Sequence, residues 1–248
     1  MLRAVPAIEA GAASPDAGRE LRIGGLTPFT SIDFPGRLSA VLFVQGCPWR
    51  CGYCHNQHLQ NRMAQPAMGW KDTLAWLTRR VGLIDGVVFS GGEPSVDPML
   101  QSAMADVRAL GLAIGLHSAG THPRRLRAIL TQVDWIGLDV KAPLNEPELY
   151  DRITGRPNSA AGVNRCLQTV LASSKTYEVR TTAHPSWLDD AALLRLGRDL
   201  AQRGVSHYVL QIARAAGPSA PTPLAHYPAA ETLAQMQDQF DHFQVRRG

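Results

Sequence analysis

Short runs of apolar, β-branched residues alternate with amphipathic stretches through most of the chain, and that alternation admits few folds. The runs fall at 40–44, 86–90, 113–117, 135–140, 178–182 and 207–212. The amphipathic stretches fall at 70–81, 98–110, 123–131, 160–173 and 188–203, and a last pattern at 229–243 reads as a closing helix. A βαβα order of this kind predicts an α/β protein with a parallel sheet, right-handed crossovers and helices on the outer face. Six such strands are too few for a closed eight-stranded barrel. The expectation is therefore an open, partial (β/α)6 TIM-type barrel, with its chemistry in the loops after the C-terminal ends of the strands.

The loop after the first run reads Gly46-Cys47-Pro48-Trp49-Arg50-Cys51-Gly52-Tyr53-Cys54-His55-Asn56. Gly46, Pro48 and Gly52 permit the tight turns needed to aim three side chains at one centre. Thiolates suit an iron–sulfur cluster or zinc. Three cysteines would complete three corners of a four-iron cubane and leave one iron open. An open metal position marks a catalytic rather than a structural site, by analogy with zinc. The alternative is a zinc-binding module in which Cys47, Cys51 and Cys54 join His55 or His58. Against it, zinc sites usually pair two C-x2-C knuckles, and here there is one.

The chain has four cysteines in 248 residues, and three of them lie within eight positions. With no secretory signal pattern, that distribution points to metal binding in a reducing, cytoplasmic setting rather than to disulfides. Cys166 sits in a helical pattern and reads as a small buried hydrophobe. No apolar run approaches the roughly 20 residues of a membrane span. The 25 basic and 21 acidic residues give a net charge of +4. Arginines are scattered, without a basic stripe interleaved with aromatics, which points away from nucleic acid. A mild positive balance suits an acidic or phosphorylated partner. Residues 1–20, rich in Ala, Gly and Pro, read as a flexible tail, and 21–248 as one domain.

Other strand ends carry polar residues. Gly91-Gly92-Glu93-Pro94 leaves the second run; alone, it could be an ordinary strand-to-helix turn with Glu93 and Asp97 near a helix N-terminus. His117 and Ser118 end the third run. Period-2 alternation puts Asp139 and Lys141 on one face of the fourth, as a buried ion pair or part of a site. Arg180, in the fifth, offers a guanidinium fork to a carboxylate, whether of a ligand or of a neighbouring side chain. His184 carries no assigned role.

Taken together, the C-x3-C-x2-C loop, with Tyr53 as the aromatic before its third cysteine, and Gly91-Gly92-Glu93 about forty residues later resemble the radical S-adenosylmethionine (SAM) superfamily. The resemblance implies the radical SAM fold and a [4Fe–4S] cluster on Cys47, Cys51 and Cys54, with SAM chelated to the unique iron. It assigns Gly91, Gly92 and Glu93 to the SAM amino group, Arg180 to its carboxylate, and Tyr53, Ser118, Asp139 and Lys141 to its surroundings. Gln211 becomes a candidate contact for adenine or substrate. No catalytic side chain is expected beyond the cluster and SAM. One electron would cleave SAM to a 5′-deoxyadenosyl radical, the cofactor doing the hard step and the protein positioning it.

Further motifs narrow the likeness: residues 25–36, Cys54-His55-Asn56, Asp139-x-Lys141-Ala142-Pro143, Ile153-Thr154-Gly155 and Arg180-Thr181-Thr182. This series resembles the activating proteins of anaerobic ribonucleoside-triphosphate reductase, which place a radical on a glycine of the partner enzyme. That implies a protein substrate and an external one-electron donor such as flavodoxin or ferredoxin. Related readings are an activase of pyruvate formate-lyase type and a small-molecule enzyme of deazaguanine type. The chain departs from the family at His117, Ser118 and Ala119, where related activases read Asp-Thr-Asn-Gly, and at Gln57, where proline is common.

Overall fold

A computed structural model describes residues 20–213 and 226–247. Residues 1–19 of the expected tail lie outside the described residues. Eight strands form one sheet whose spatial order is the chain order. A hairpin joins β1 (Ile23–Thr30) antiparallel to β2 (Ser39–Val44). Then β3 (Gly86–Gly91), β4 (Ala113–Ser118), β5 (Trp135–Asp139), β6 (Thr176–Ala183), β7 (His207–Ile212) and β8 (His242–Arg247) follow, each parallel to its predecessor. The crossovers carry α1 (Trp70–Thr78), α2 (Leu100–Ala109), α3 (Pro123–Ile129), α4 (Pro147–Thr154), α5 (Ser159–Leu171), α6 (Asp190–Gln202) and α7 (Ala230–Gln237). Among the described residues β1 and β8 do not pair, so the sheet is an open partial barrel.

Alternation along the strands builds two cores. Ala40, Leu42, Val87, Phe89, Ile114, Leu116, Ile136 and Leu138 pack with the buried faces of the helices. The intervening residues Val41, Val88, Ala113 and Trp135 gather on the opposite face with Phe34, whose ring stacks on Trp135 at 5.8 Å. That apolar plug lies towards the N-terminal ends of the strands. Further along the same face come Ser90, His117, Asp139 and Arg180, so the inner surface turns polar towards the C-terminal ends. Helix boundaries follow local chemistry. Asp189 caps α6, accepting from the Ala192 amide at 2.7 Å, and Leu193, Leu196 and Leu200 give that helix its buried face.

All six expected strands are present, and two more flank them. β1 carries Gly24, Gly25 and Pro28 and is half exposed, so its sequence lacks the apolar run of a central strand; proline is tolerated because it lies at an edge. The helix expected over 229–243 ends at Gln237, and His242 and Phe243 open β8 instead. Phe240 and Phe243 pack on Tyr208, with centroids at 4.8 and 5.8 Å, which draws this segment onto the edge of β7. α4 was also absent from the sequence pattern, although Pro147 at its start and Gly155 in the left-handed conformation (φ 63°) after its end mark its limits. No helix among the described residues is long and apolar enough to cross a membrane.

Candidate functional site

One cavity opens at the C-terminal ends of β2 to β6, lined by the three cysteines, Tyr53, Gly91, Gly92, His117, Ser118, Asp139, Lys141 and Arg180 among others. The two glycines explain how the loops come together. Gly91 has φ 112°, and a Cβ there would lie 2.5 Å from the Val44 nitrogen. A Cβ on Gly92 would strike the Gly46 carbonyl. Without side chains, this segment lies flush on the start of the cysteine loop: the Gly92 amide donates to the Val44 carbonyl (2.9 Å) and the Glu93 amide to that of Gly46 (2.8 Å).

The cysteine loop is held from several sides. The Arg50 guanidinium donates to the carbonyls of Cys47 and Trp49, both at 2.8 Å, and the Arg50 amide donates to Thr154 at the end of α4 (2.8 Å). Gly52 lies beneath the Trp187 ring, where a Cβ would come within 2.5 Å. The thiols of Cys47, Cys51 and Cys54 are unbridged and half-buried. Burial pushes the Cys47 thiol up to about 12, and the charges of Glu93 and Cys51 add to the rise. Burial also raises Cys51, with Lys141 opposing it. Among the described residues no three His, Cys, Asp or Glu side chains converge as a single metal ion requires. A cubane presents a separate iron to each thiolate, so three soft donors spread around a loop fit a cluster better than a lone zinc.

Behind the loop lies an ion group. Asp139 accepts from Arg180 Nε (3.0 Å) and pairs with Lys141 Nζ (3.4 Å). Gly137 makes room for this, since a Cβ there would lie 2.7 Å from the Arg180 guanidinium carbon. Burial pushes the Asp139 carboxyl up, but Arg180 and Lys141 outweigh it and hold it below its ordinary value. Burial pulls Lys141 down, whereas Tyr53, Asp139 and Cys51 push it up, and it remains an ammonium. Two cations thus share one carboxylate, leaving a positive charge over. Lys141 Nζ lies 5.8 Å from the centre of the Tyr53 ring. The Tyr53 hydroxyl is buried and has no hydrogen-bond partner among the described residues.

The remaining candidates divide. Glu93 is completely buried and absent from the cavity wall; its carboxylate accepts from the Ser95 amide and hydroxyl, from Ser118 Oγ (2.9 Å) and from the Ala119 amide (2.6 Å). The structure therefore ties this side chain to the end of β4. Ser118 lines the cavity, yet its hydroxyl is occupied by Glu93 and by the Gly120 amide (3.0 Å). His117 lies between Ser90 Oγ and the Asp33 carbonyl, both at 3.1 Å. A carbonyl can only accept, so the proton sits on Nε2 and Nδ1 accepts from Ser90. Burial, with the Arg180 charge, drives the His117 pKa well below its ordinary value. His184 accepts from the Ser186 amide, and Gln211 lies on β7 outside the cavity wall. Cys166 is fully buried, its thiol donating to the Gly120 carbonyl at 3.2 Å.

Composition and period missed three supports. Tyr150 of α4 accepts from the Lys141 amide (3.1 Å) and meets Trp49 edge-on at 6.2 Å. Trp187 covers Gly52, and Gly155 abuts Arg50, whose carbonyl would lie 3.2 Å from a Cβ there. The Ile153-Thr154-Gly155 run was visible in the sequence, but nothing local showed that it touches the cysteine loop.

An open α/β barrel that gathers three thiols, a glycine-lined backbone and a cationic cluster at one strand end is an enzyme of a recognisable kind. The model of the radical SAM superfamily matches residues 41–208, more than half of the chain, and the chain belongs to that superfamily. Its members use a [4Fe–4S] cluster and SAM. Among curated relatives, a putative glycyl-radical enzyme activating enzyme of Methanocaldococcus jannaschii is 26% identical over 180 residues, covering 68% of this chain and 70% of its own. Pyruvate formate-lyase-activating enzymes of Clostridium pasteurianum and Staphylococcus aureus are each 31% identical, over 54% and 52% of this chain. The matches span only 58% and 55% of those two proteins. Among solved structures, a radical SAM methyltransferase from Sphaerobacter thermophilus superposes with a TM-score of 0.66 at 17% identity, over 88% of this chain and 68% of that one.

Proposed function

We propose that this chain is the activating enzyme of a glycyl-radical enzyme, with anaerobic ribonucleoside-triphosphate reductase as the partner. The observation that carries the reading is the shared cavity, where three unbridged thiols, the Gly91–Gly92 backbone and a two-cation cluster open on one space. The naming of the curated relatives supports activation of a glycyl-radical enzyme, and the motif series from residue 25 to Thr182 supports the reductase as its partner.

The residues fit the group that the superfamily carries. Cys47, Cys51 and Cys54 would hold the cluster and must release their protons to do so, because the ligand is the thiolate. When bound, the cluster and SAM supply a 5′-deoxyadenosyl radical on one-electron reduction. Gly91 and Gly92 let backbone approach the ligand amino group. Arg180 and Lys141, with one charge beyond what Asp139 neutralises, suit the ligand carboxylate. The orphaned Tyr53 hydroxyl offers a further polar contact. Glu93 acts as a positioning residue that ties the Gly-Gly segment to Ser118 and Ala119. An external donor, flavodoxin or ferredoxin, would deliver the electron.

Anaerobic reconstitution tests this. The expected result is one [4Fe–4S] per chain, SAM cleavage on reduction, loss of both in Cys47→Ala, Cys51→Ala or Cys54→Ala, and a glycyl EPR doublet on the added reductase. Zinc without iron or sulfide after anaerobic purification would overturn the cluster. SAM cleavage with no doublet on the reductase would overturn the proposed partner, and none on pyruvate formate-lyase either would overturn the activase.

A further inference from the structure

A groove of about 1320 Å³ runs between α3 and α5 on the outer layer. Its walls carry His122, Arg124, Arg125, Arg127, Arg165 and Lys175, and no carboxylate lines it. The Arg124, Arg127 and Arg165 side chains are exposed and make no hydrogen bond or ion pair among the described residues. Arg125 is tied to the Val96 carbonyl and Lys175 to that of Thr131. This arrangement works against local stability. Arg124 and Arg127, three positions apart on α3, repel one another. An anionic occupant would relieve that cost.

We propose that the groove docks an acidic segment of the protein that brings its glycine to the cavity, an inference that rests on the activase reading. A polypeptide fits better than nucleic acid, because apart from the His122 imidazole the groove has no aromatic ring for a base to stack on. The substrate protein fits better than the electron donor, because it must put a glycine into the cavity and one end of the groove lies close by: Thr121, on the groove wall, stands two residues along the chain from Ala119, on the cavity wall.

The test uses the reconstituted full chain, dithionite as reductant and the anaerobic reductase as partner, comparing wild type with the triple variants R124Q/R127Q/R165Q and R124E/R127E/R165E. Partner-free SAM cleavage should stay within about twofold of wild type in both variants, showing that fold and cluster are intact, while KM for the partner rises ~10-fold or more in the charge-reversed one. Added salt should raise the wild-type KM, leave R124Q/R127Q/R165Q nearly flat and lower the KM of the charge-reversed variant. A doublet formed with unchanged KM and salt dependence would sink the docking site alone. So would a defect seen only when a protein donor replaces dithionite, or arginine-dependent RNA retention with unaltered KM. A wild-type chain that forms no doublet on the reductase overturns that partner, and if none forms on pyruvate formate-lyase either, the activase reading and the docking site fall together.

Discussion

His117 joins β3, β4 and the 31–35 turn through Ser90 and Asp33 while carrying no charge. Its folded pKa lies well below the ordinary value, so under mildly acid conditions the unfolded chain binds a proton that the folded chain refuses. Stability therefore falls as pH drops below about 6.5, the unfolded value. The apo protein should show a thermal midpoint that declines from neutral pH towards pH ~5, and His117→Gln should flatten that decline; equal slopes would refute the assignment. His122 and His184 shift in the same direction but are common to both proteins. Glu93 makes a second residue-scale case. Its carboxylate accepts from buried donors on Ser95, Ser118 and Ala119, and a glutamine amide in its place would turn an NH2 towards some of them. E93Q should cost about 2 kcal/mol in urea denaturation. An unchanged midpoint would show that those bonds do not hold the fold. At this scale, Asp139 and Lys141 were legible as a pair because period-2 alternation sends them to one face, whereas Arg180, on another strand, was singled out by its guanidinium fork. The direction of Glu93 was not, because two glycines turn the chain just before it.

The element that most shapes the site is α4, which the sequence pattern did not reveal. Its eight residues touch the cysteine loop through Thr154 and the Lys141 amide through Tyr150, joining two parts of the site that lie far apart in sequence. Gly155 ends it at φ 63° against Arg50. Gly155→Val should lose ~1–2 kcal/mol from the left-handed backbone alone, and should also displace Arg50 and lower the iron bound per chain on reconstitution. Gly204→Val is the control, since Gly204 has φ 86° but open space around it. It should show the backbone cost without the iron loss. If both variants bind iron equally, α4 does not position the loop. A helix this short escaped notice because its period is sampled barely twice, leaving only its proline and glycine limits to read.

Across the whole molecule, the alternation of apolar runs was enough to expect an open parallel barrel, because central strands buried on both faces read as continuous hydrophobic segments. The edges were less legible: β1 and β8 are half exposed, and their pairing depends on neighbours that local sequence does not name. One contact binds the far edge. Arg246 of β8 reaches past β7 to Glu178 of β6, with two bonds of 2.8 and 2.9 Å. Glu178 is buried, so R246M should destabilise by about 3 kcal/mol in chemical denaturation, and E178Q/R246M should recover most of it. No recovery would mean that the loss comes from packing rather than from an unpaired charge.

The coincidence of spatial and chain order has a consequence for biosynthesis. The hairpin of β1 and β2 is the only adjacent strand pair among the described residues that needs no helical crossover, and each later strand lands beside one already made. A nascent chain can therefore lay down its sheet from one side to the other as it emerges, never waiting for a distant partner. Cys47, Cys51 and Cys54 leave the ribosome just after that hairpin, whereas Asp139, Lys141 and Arg180 follow much later. Until β6 has emerged, the thiols have no finished wall around them, so cluster insertion into a complete site belongs after that strand is made.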